Sequence, residues 1–277
     1  MMKLNIEQRK REASELVMIH GLTRRWQTFT TLLPSFSSRY SLTLIDLPGH
    51  GESPANTSGY SVLQHAEAVV RWIDHFNVER FDLYGHSLGA MVALHAAAKR
   101  PDRVTRVILE DPPFGTMGDR LEQTVWLSHF SQVHEIRNRE EFIRGSRREQ
   151  VEMLGNILLK DPVTGSTQRL GTQRDPSSLR FMAACMLKMD ASVVEPVVRK
   201  EWYKDWHWES IATEVTQPTL ILRADEKAGG MLTEHDCNHL CSLLEDPVPV
   251  FFQNSGHNLH WVRTVDLSHS VHTFLDS

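Results

Sequence analysis

Ser87 stands between two glycines in Leu83-Tyr84-Gly85-His86-Ser87-Leu88-Gly89-Ala90-Met91, where a short apolar run breaks into an Ala-rich helical segment. A Gly-x-Ser-x-Gly turn between a strand and a helix presents the serine hydroxyl at the strand's end, as a nucleophile elbow requires. A chain with this much glycine and serine yields the pattern by chance about 0.06 times, so its surroundings must decide. A hydroxyl is a weak nucleophile: it needs an imidazole to take its proton and a carboxylate to fix that imidazole's tautomer. Among the 15 histidines, His257 is placed best as the base, in the turn Asn254-Ser255-Gly256-His257 between an apolar run and the C-terminal helical segment. His86, inside the elbow, and His260, one helical turn past His257, read as packing or supporting residues.

The elements that must position these groups follow from apolar runs and their punctuation. Leu16–Ile19, Leu42–Ile45, Phe81–Tyr84 and Val104–Leu109 read as buried strands. Ser61 with Gln64 forms a capping box ahead of Leu63, Ala66, Val69, Val70, Ile73 and Phe76 at helical spacing. The helix after the elbow ends at Arg100, stopped by Pro101. Strands alternating with helices predict an α/β fold with a mostly parallel, doubly wound sheet. The carboxyl edge of such a sheet gathers strand–loop junctions, so Ser87 and His257 can meet there. From about Phe114 to Glu214 no strand is evident, and helices are expected over Leu121–Phe130, Glu140–Leu159, Ser177–Met189 and Val193–Asp205. The sheet pattern then resumes at Pro218–Leu222 and Val248–Gln253, and a last helix carries Val262, Val265, Leu267, Val271 and Leu275. This gives a core of residues 1–113 and 215–277 around a helical insertion, 114–214. The first 15 residues are charged and fit a frayed helix or a poor edge strand.

The net charge of -5 argues against a nucleic-acid or anionic-membrane surface. No apolar run reaches the ~20 residues of a membrane span, and the N-terminus lacks the apolar core of a signal peptide. Three cysteines, Cys185, Cys237 and Cys241, cannot all pair, which points to a reducing, cytoplasmic setting. The expected partner is a small molecule, with no nucleic acid or membrane partner.

Taken together, His20-Gly21, Asp46-Leu47-Pro48-Gly49-His50-Gly51-Glu52-Ser53, Gly85–Gly89 and Gly256-His257 resemble the α/β-hydrolase superfamily over nearly the whole chain. Their order and spacing are far more specific than any single motif. The resemblance implies that residues 114–214 form a helical cap after the sixth strand. It also implies an oxyanion hole from the backbone N–H groups of Leu22 and Leu88. Many similar enzymes carry the acid after the seventh strand as Gly-x-x-Asp; here that place reads Ala224-Asp225-Glu226-Lys227, with lysine where the aspartate is expected. A minority place it after the sixth strand, which Asp111 matches, and Asp111 is favoured over Asp225. Two further strands usually precede His20-Gly21; either the sheet is trimmed or Leu4-Asn5-Ile6 is a remnant. The implied activity is hydrolysis of an ester, lactone or thioester of a small to medium apolar substrate, with no cofactor or metal. Carbon–carbon bond hydrolases and slow-turnover receptors of this fold keep the same triad.

Three local patterns carry competing readings. His235, Cys237, His239 and Cys241 resemble a metal cluster, but on a helix the histidines and cysteines occupy different faces, so packing is the better reading. Trp202, Tyr203, Trp206 and Trp208 suit either the insertion's own core or an apolar pocket wall. Met182, Met186 and Met189 follow helical spacing and read as core.

Overall fold

The computed structural model describes residues 3–161 and 163–277. Chain order gives β1 (Ile6–Arg9), β2 (Glu15–Ile19), β3 (Ser41–Ile45), α1 (Val62–Ile73), β4 (Phe81–His86), α2 (Leu88–Lys99) and β5 (Val104–Glu110). After β5 come α3 (Val125–Arg137), α4 (Arg147–Gly155), β6 (Leu158–Lys160), β7 (Thr167–Arg169) and α5 (Pro176–Leu187). The chain then returns through β8 (Thr219–Ala224), α6 (Glu234–Leu243), β9 (Pro247–Phe252) and α7 (Thr264–Leu275). The main sheet has seven strands in the order β1-β3-β2-β4-β5-β8-β9. Every neighbouring pair is parallel except β1 with β3.

Side-chain alternation along the strands divides the core between the two sheet faces. In β2, Val17 and Ile19 join Val69, Ile73, Met91 and Leu94 on the face covered by α1 and α2. Leu16 and Met18 point the other way, against Phe29, Phe36, Val271 and Leu275. All five residues of β2 are buried, and each aliphatic side chain so placed contributes about 1.5–3 kcal/mol. The Ser61 box forms: Gln64 N–H donates to Ser61 Oγ at 3.3 Å, and Ser61 N–H to Gln64 Oε1 at 2.7 Å.

Of the two readings of the charged start, the edge strand holds: β1 pairs antiparallel with β3, Ile6 opposite Ile45. Three expectations need correction. Residues 114–214 do contain strands, because β6 and β7 pair as a hairpin. Three residues per strand, all exposed in β7, are too few to show a period of two. The helix expected over Glu140–Leu159 breaks at Gly145-Ser146, where Ser146 caps α4 through a capping box with Glu149. The helix expected over Val193–Asp205 shrinks to Glu195–Val198, with left-handed residues at Lys200 and Asp205. In the C-terminal segment Leu267, Val271 and Leu275 are buried, whereas Val262 and Val265 face solvent. No helix of the described residues is long and apolar enough to cross a membrane.

Candidate active site

Ser87 lies between the end of β4 and the start of α2 with φ 55° and ψ −119°, a backbone conformation costing about 1–3 kcal/mol outside glycine. The turn closes only because its neighbours lack side chains. A Cβ at Gly85 would sit 2.1 Å from the Gly89 carbonyl oxygen, and one at Gly89 would sit 2.1 Å from that of Ile19. β2 and α2 therefore touch backbone to backbone beneath the serine.

The structure brings His257 to Asp111 and leaves Asp225 outside. His257 Nδ1 donates to Asp111 Oδ2 at 2.7 Å, which leaves Nε2 as the free basic nitrogen. Asp111 follows β5 with φ 46°, fully buried. Its carboxylate also accepts the N–H groups of Ala224, Met231 and Leu232 at 3.1, 2.7 and 3.2 Å. Those three bonds fix the carboxylate and spread its charge before the imidazole is added. Asp225 instead organises its own loop, accepting from Lys227 and Asn254 N–H groups, and these bonds lower its carboxyl pKa. Among the described residues the Ser87 hydroxyl has no hydrogen bond to His257. Both nevertheless line one cavity of about 570 Å³, within the usual size of a small-molecule site.

The loop after β2 carries Leu22, and its brace was not read from the sequence. Thr23 has φ 62° and donates its N–H to His50 Nε2 at 3.2 Å, while His50 Nδ1 donates to the Pro48 carbonyl. His20 accepts from Leu47 N–H and donates to Gly21 O. Burial drives the imidazoles of His20 and His50 down to about 3, so both stay neutral and able to accept. Asp46 completes the brace, accepting from Trp26 N–H at 2.8 Å and Asn5 Nδ2 at 2.7 Å. The Asp46–Ser53 turn thus holds the loop of Leu22, and its one histidine, His50, was the available signal. The N–H groups of Leu22 and Leu88 have no protein acceptor among the described residues.

His86 and His260 support the loop of His257. His86 Nε2 donates to the His257 carbonyl at 3.0 Å, and burial keeps His86 neutral. Behind it, Glu110 accepts from His260 Nδ1 at 2.8 Å, His260 N–H at 3.0 Å and Tyr84 Oη at 2.5 Å. Burial opposes ionisation of Glu110, but the imidazoles of His260 and His86 and these hydrogen bonds overcome it and hold the carboxyl at about 2. His86, Glu110 and His260 are the one set of metal-type donors grouped closely among the described residues, and the carboxylate's hydrogen bonds already occupy it. In the pattern Cys237-x-His239, Cys237 is buried while His235 and His239 are exposed. Of the aromatic cluster, Trp202 lines the cavity, whereas Trp208 stacks on Phe114 at 4.4 Å. Tyr203 donates to the Phe114 carbonyl at 2.8 Å. Met182 also lines the cavity, while Met186 and Met189 are core.

With this geometry in place, the chain matches the alpha/beta hydrolase fold family over residues 16–264, and it belongs to that family. Among curated relatives it is 34% identical over 119 residues to a probable lysophospholipase, BODYGUARD 1, of Arabidopsis thaliana, covering 40% of this chain and 25% of the relative. It is 34% identical over 95 residues to a pimeloyl-[acyl-carrier protein] methyl ester esterase of Neisseria meningitidis, covering 34% of this chain and 29% of the relative. The match thus spans only about a quarter to a third of these relatives' length. Solved structures match end to end: E-2-(acetamidomethylene)succinate hydrolase at TM-score 0.72, 19% identity, covering 100% of this chain and 96% of that one. An enol-lactonase from Burkholderia xenovorans aligns at TM-score 0.72, 16% identity, covering 100% and 97%. At these identities the structures establish the fold.

Proposed function

We propose that the protein is a serine hydrolase that cleaves an ester, lactone or thioester through an acyl-enzyme. Ser87 Oγ attacks the carbonyl carbon while His257 Nε2 takes its proton, and Asp111 stabilises the resulting imidazolium. The oxyanion is received by the N–H groups of Leu22 and Leu88. Collapse expels the alcohol or thiol, which leaves with the proton from His257. Water, deprotonated by the same nitrogen, then attacks the acyl-enzyme and releases the acid. The observation that carries this reading is the 2.7 Å bond from His257 to the buried Asp111, with Ser87 on the wall of the same cavity. Nucleophile–base contacts often tighten only once substrate binds.

Residues 114–214, between β5 and β8, act in this reading as a cap, since Trp126, Phe130, Met182 and Trp202 from that stretch line the cavity. They give it an apolar wall for the carbon chain of the substrate. The free cysteines, two of them buried, support a reducing compartment. A fluorophosphonate should label Ser87 stoichiometrically, with release of p-nitrophenol from short-chain esters by the wild type and none above background by Ser87→Ala. Absence of both label and turnover in the wild type would refute it and favour a binding protein on this fold.

A further inference from the structure

The cavity contains cationic side chains that the proposed reaction leaves unused. Arg24, two residues beyond Leu22, and Arg174, just ahead of α5, both line it, together with His129 from α3. No ion pair to Arg24 or Arg174 exists among the described residues. Nη1 of Arg24 and Nδ1 of His129 are buried without any hydrogen-bond partner. Native proteins pair such buried donors, and neither guanidinium forms an ion pair with Asp161 or Glu226, the carboxylates of the cavity wall, so both are open to a carboxylate from outside. The acids nearby are engaged elsewhere. Asp175 Oδ1 accepts from Ser177 and Ser178 N–H groups. Asp161 Oδ1 accepts from Val163 and Thr164, and Glu226 accepts from Glu234 N–H. The guanidiniums also act on one another: burial, with repulsion from Arg174 added, pushes Arg24 down to about 10. Burial pushes His129 to about 3, again with both arginines adding repulsion. Arg24 is held in place by the ring of Trp261, 5.4 Å from its guanidinium carbon.

We propose that Arg24, Arg174 and His129 form a carboxylate subsite, and that the substrate is an ester or thioester carrying a second, ionised carboxyl group at the far end of its carbon chain. This departs from the uncharged, apolar substrate expected from the sequence: the carbon chain lies on the apolar wall and its terminus is anionic. The guanidinium fork suits a planar carboxylate. Because Arg24 sits in the loop after β2 while Arg174 and His129 lie between β5 and β8, the anion would also tie these two parts of the chain together. The inference rests on the serine-hydrolase reading only for the bond cleaved, not for the binding.

Monomethyl adipate and methyl hexanoate differ chiefly in that terminal carboxylate. The wild type should hydrolyse monomethyl adipate with the higher kcat/KM, and the ratio of the two values should fall at least tenfold in Arg24→Gln and in Arg174→Gln. Adipate itself, titrated calorimetrically, should bind the wild type more tightly than hexanamide and lose at least tenfold in each variant. Arg174 is half-buried outside the hydrophobic core, so its variant should fold even if loss of Arg24 disturbs the loop. Equal binding of adipate and hexanamide, or an unchanged ratio in Arg174→Gln, would overturn the subsite. Selective adipate binding without turnover of either ester would sustain the subsite and remove the hydrolase reading, whereas turnover of both esters without preference would do the reverse.

Discussion

His50 is the residue through which the scaffold reaches the chemistry most directly. Its ring accepts the Thr23 N–H and donates to Pro48, so His50→Leu leaves a buried N–H without a partner, a loss of about 1–3 kcal/mol. Because Leu22 precedes Thr23, the same change should lower kcat on a p-nitrophenyl ester more than it raises KM. Thermal melts and steady-state kinetics check both; an unchanged kcat would show that this loop does not hold the oxyanion. Sequence spacing singled out Ser87 and His257 as nucleophile and base because their turn signals are local. It left Asp111 and Asp225 in competition, because a carboxylate's partners are set by tertiary contacts. The N–H groups of Ala224, Met231 and Leu232 reach Asp111 from over a hundred residues away, and nothing around Asp111 in the chain announces them.

Contact between β2 and α2 is the element-level feature on which the elbow depends. Gly89→Ala would drive a Cβ to 2.1 Å from the Ile19 carbonyl, and backbone on both sides cannot yield as a side chain would. The expected cost is about 3 kcal/mol, read as a lowered melting temperature. Ala at Gly229, where φ is 92° with open space around it, should lose only about 1 kcal/mol. Equal losses at both positions would show that the close approach is unimportant. The parallel strands were legible because β2, β3 and β4 are buried throughout and read as short, mostly apolar runs, interrupted only by single polar residues such as Thr43 and Asp82. The polarity of β1 left the edge strand beside a frayed helix as a reading, since an edge strand need bury little, and the β6–β7 hairpin was hidden by its brevity. The helix boundary at Ser146 was present as Ser-x-x-Glu, but the apolar spacing that continued past it masked the cap. Ser146→Ala should cost about 1 kcal/mol.

For the whole molecule, burial of neutral histidines ties stability to pH. His20, His50 and His129 are each held at about 3, against about 6.5 in the unfolded chain. Between those values the unfolded state binds more protons, so stability is full above pH 6.5 and falls on acidification. The slope is at most about 1.4 kcal/mol per pH unit for each histidine. Glu110, held at about 2, acts in the same direction below its ordinary range. With a total stability of about 5–15 kcal/mol, the melting temperature should drop steeply from pH 6.5 to pH 5; a flat profile would mean these rings are not kept neutral by burial. The fold brings His257 to Asp111 and sets Ser87 on the wall of the same cavity, and the joint action proposed for them is open to one comparison. On a p-nitrophenyl ester turned over by the wild type, Asp111→Asn should lower kcat/KM about 10⁴-fold by imposing the wrong tautomer on His257, while Asp225→Asn should stay within tenfold. Loss concentrated in Asp225→Asn, with Asp111→Asn near the wild type, would contradict the triad.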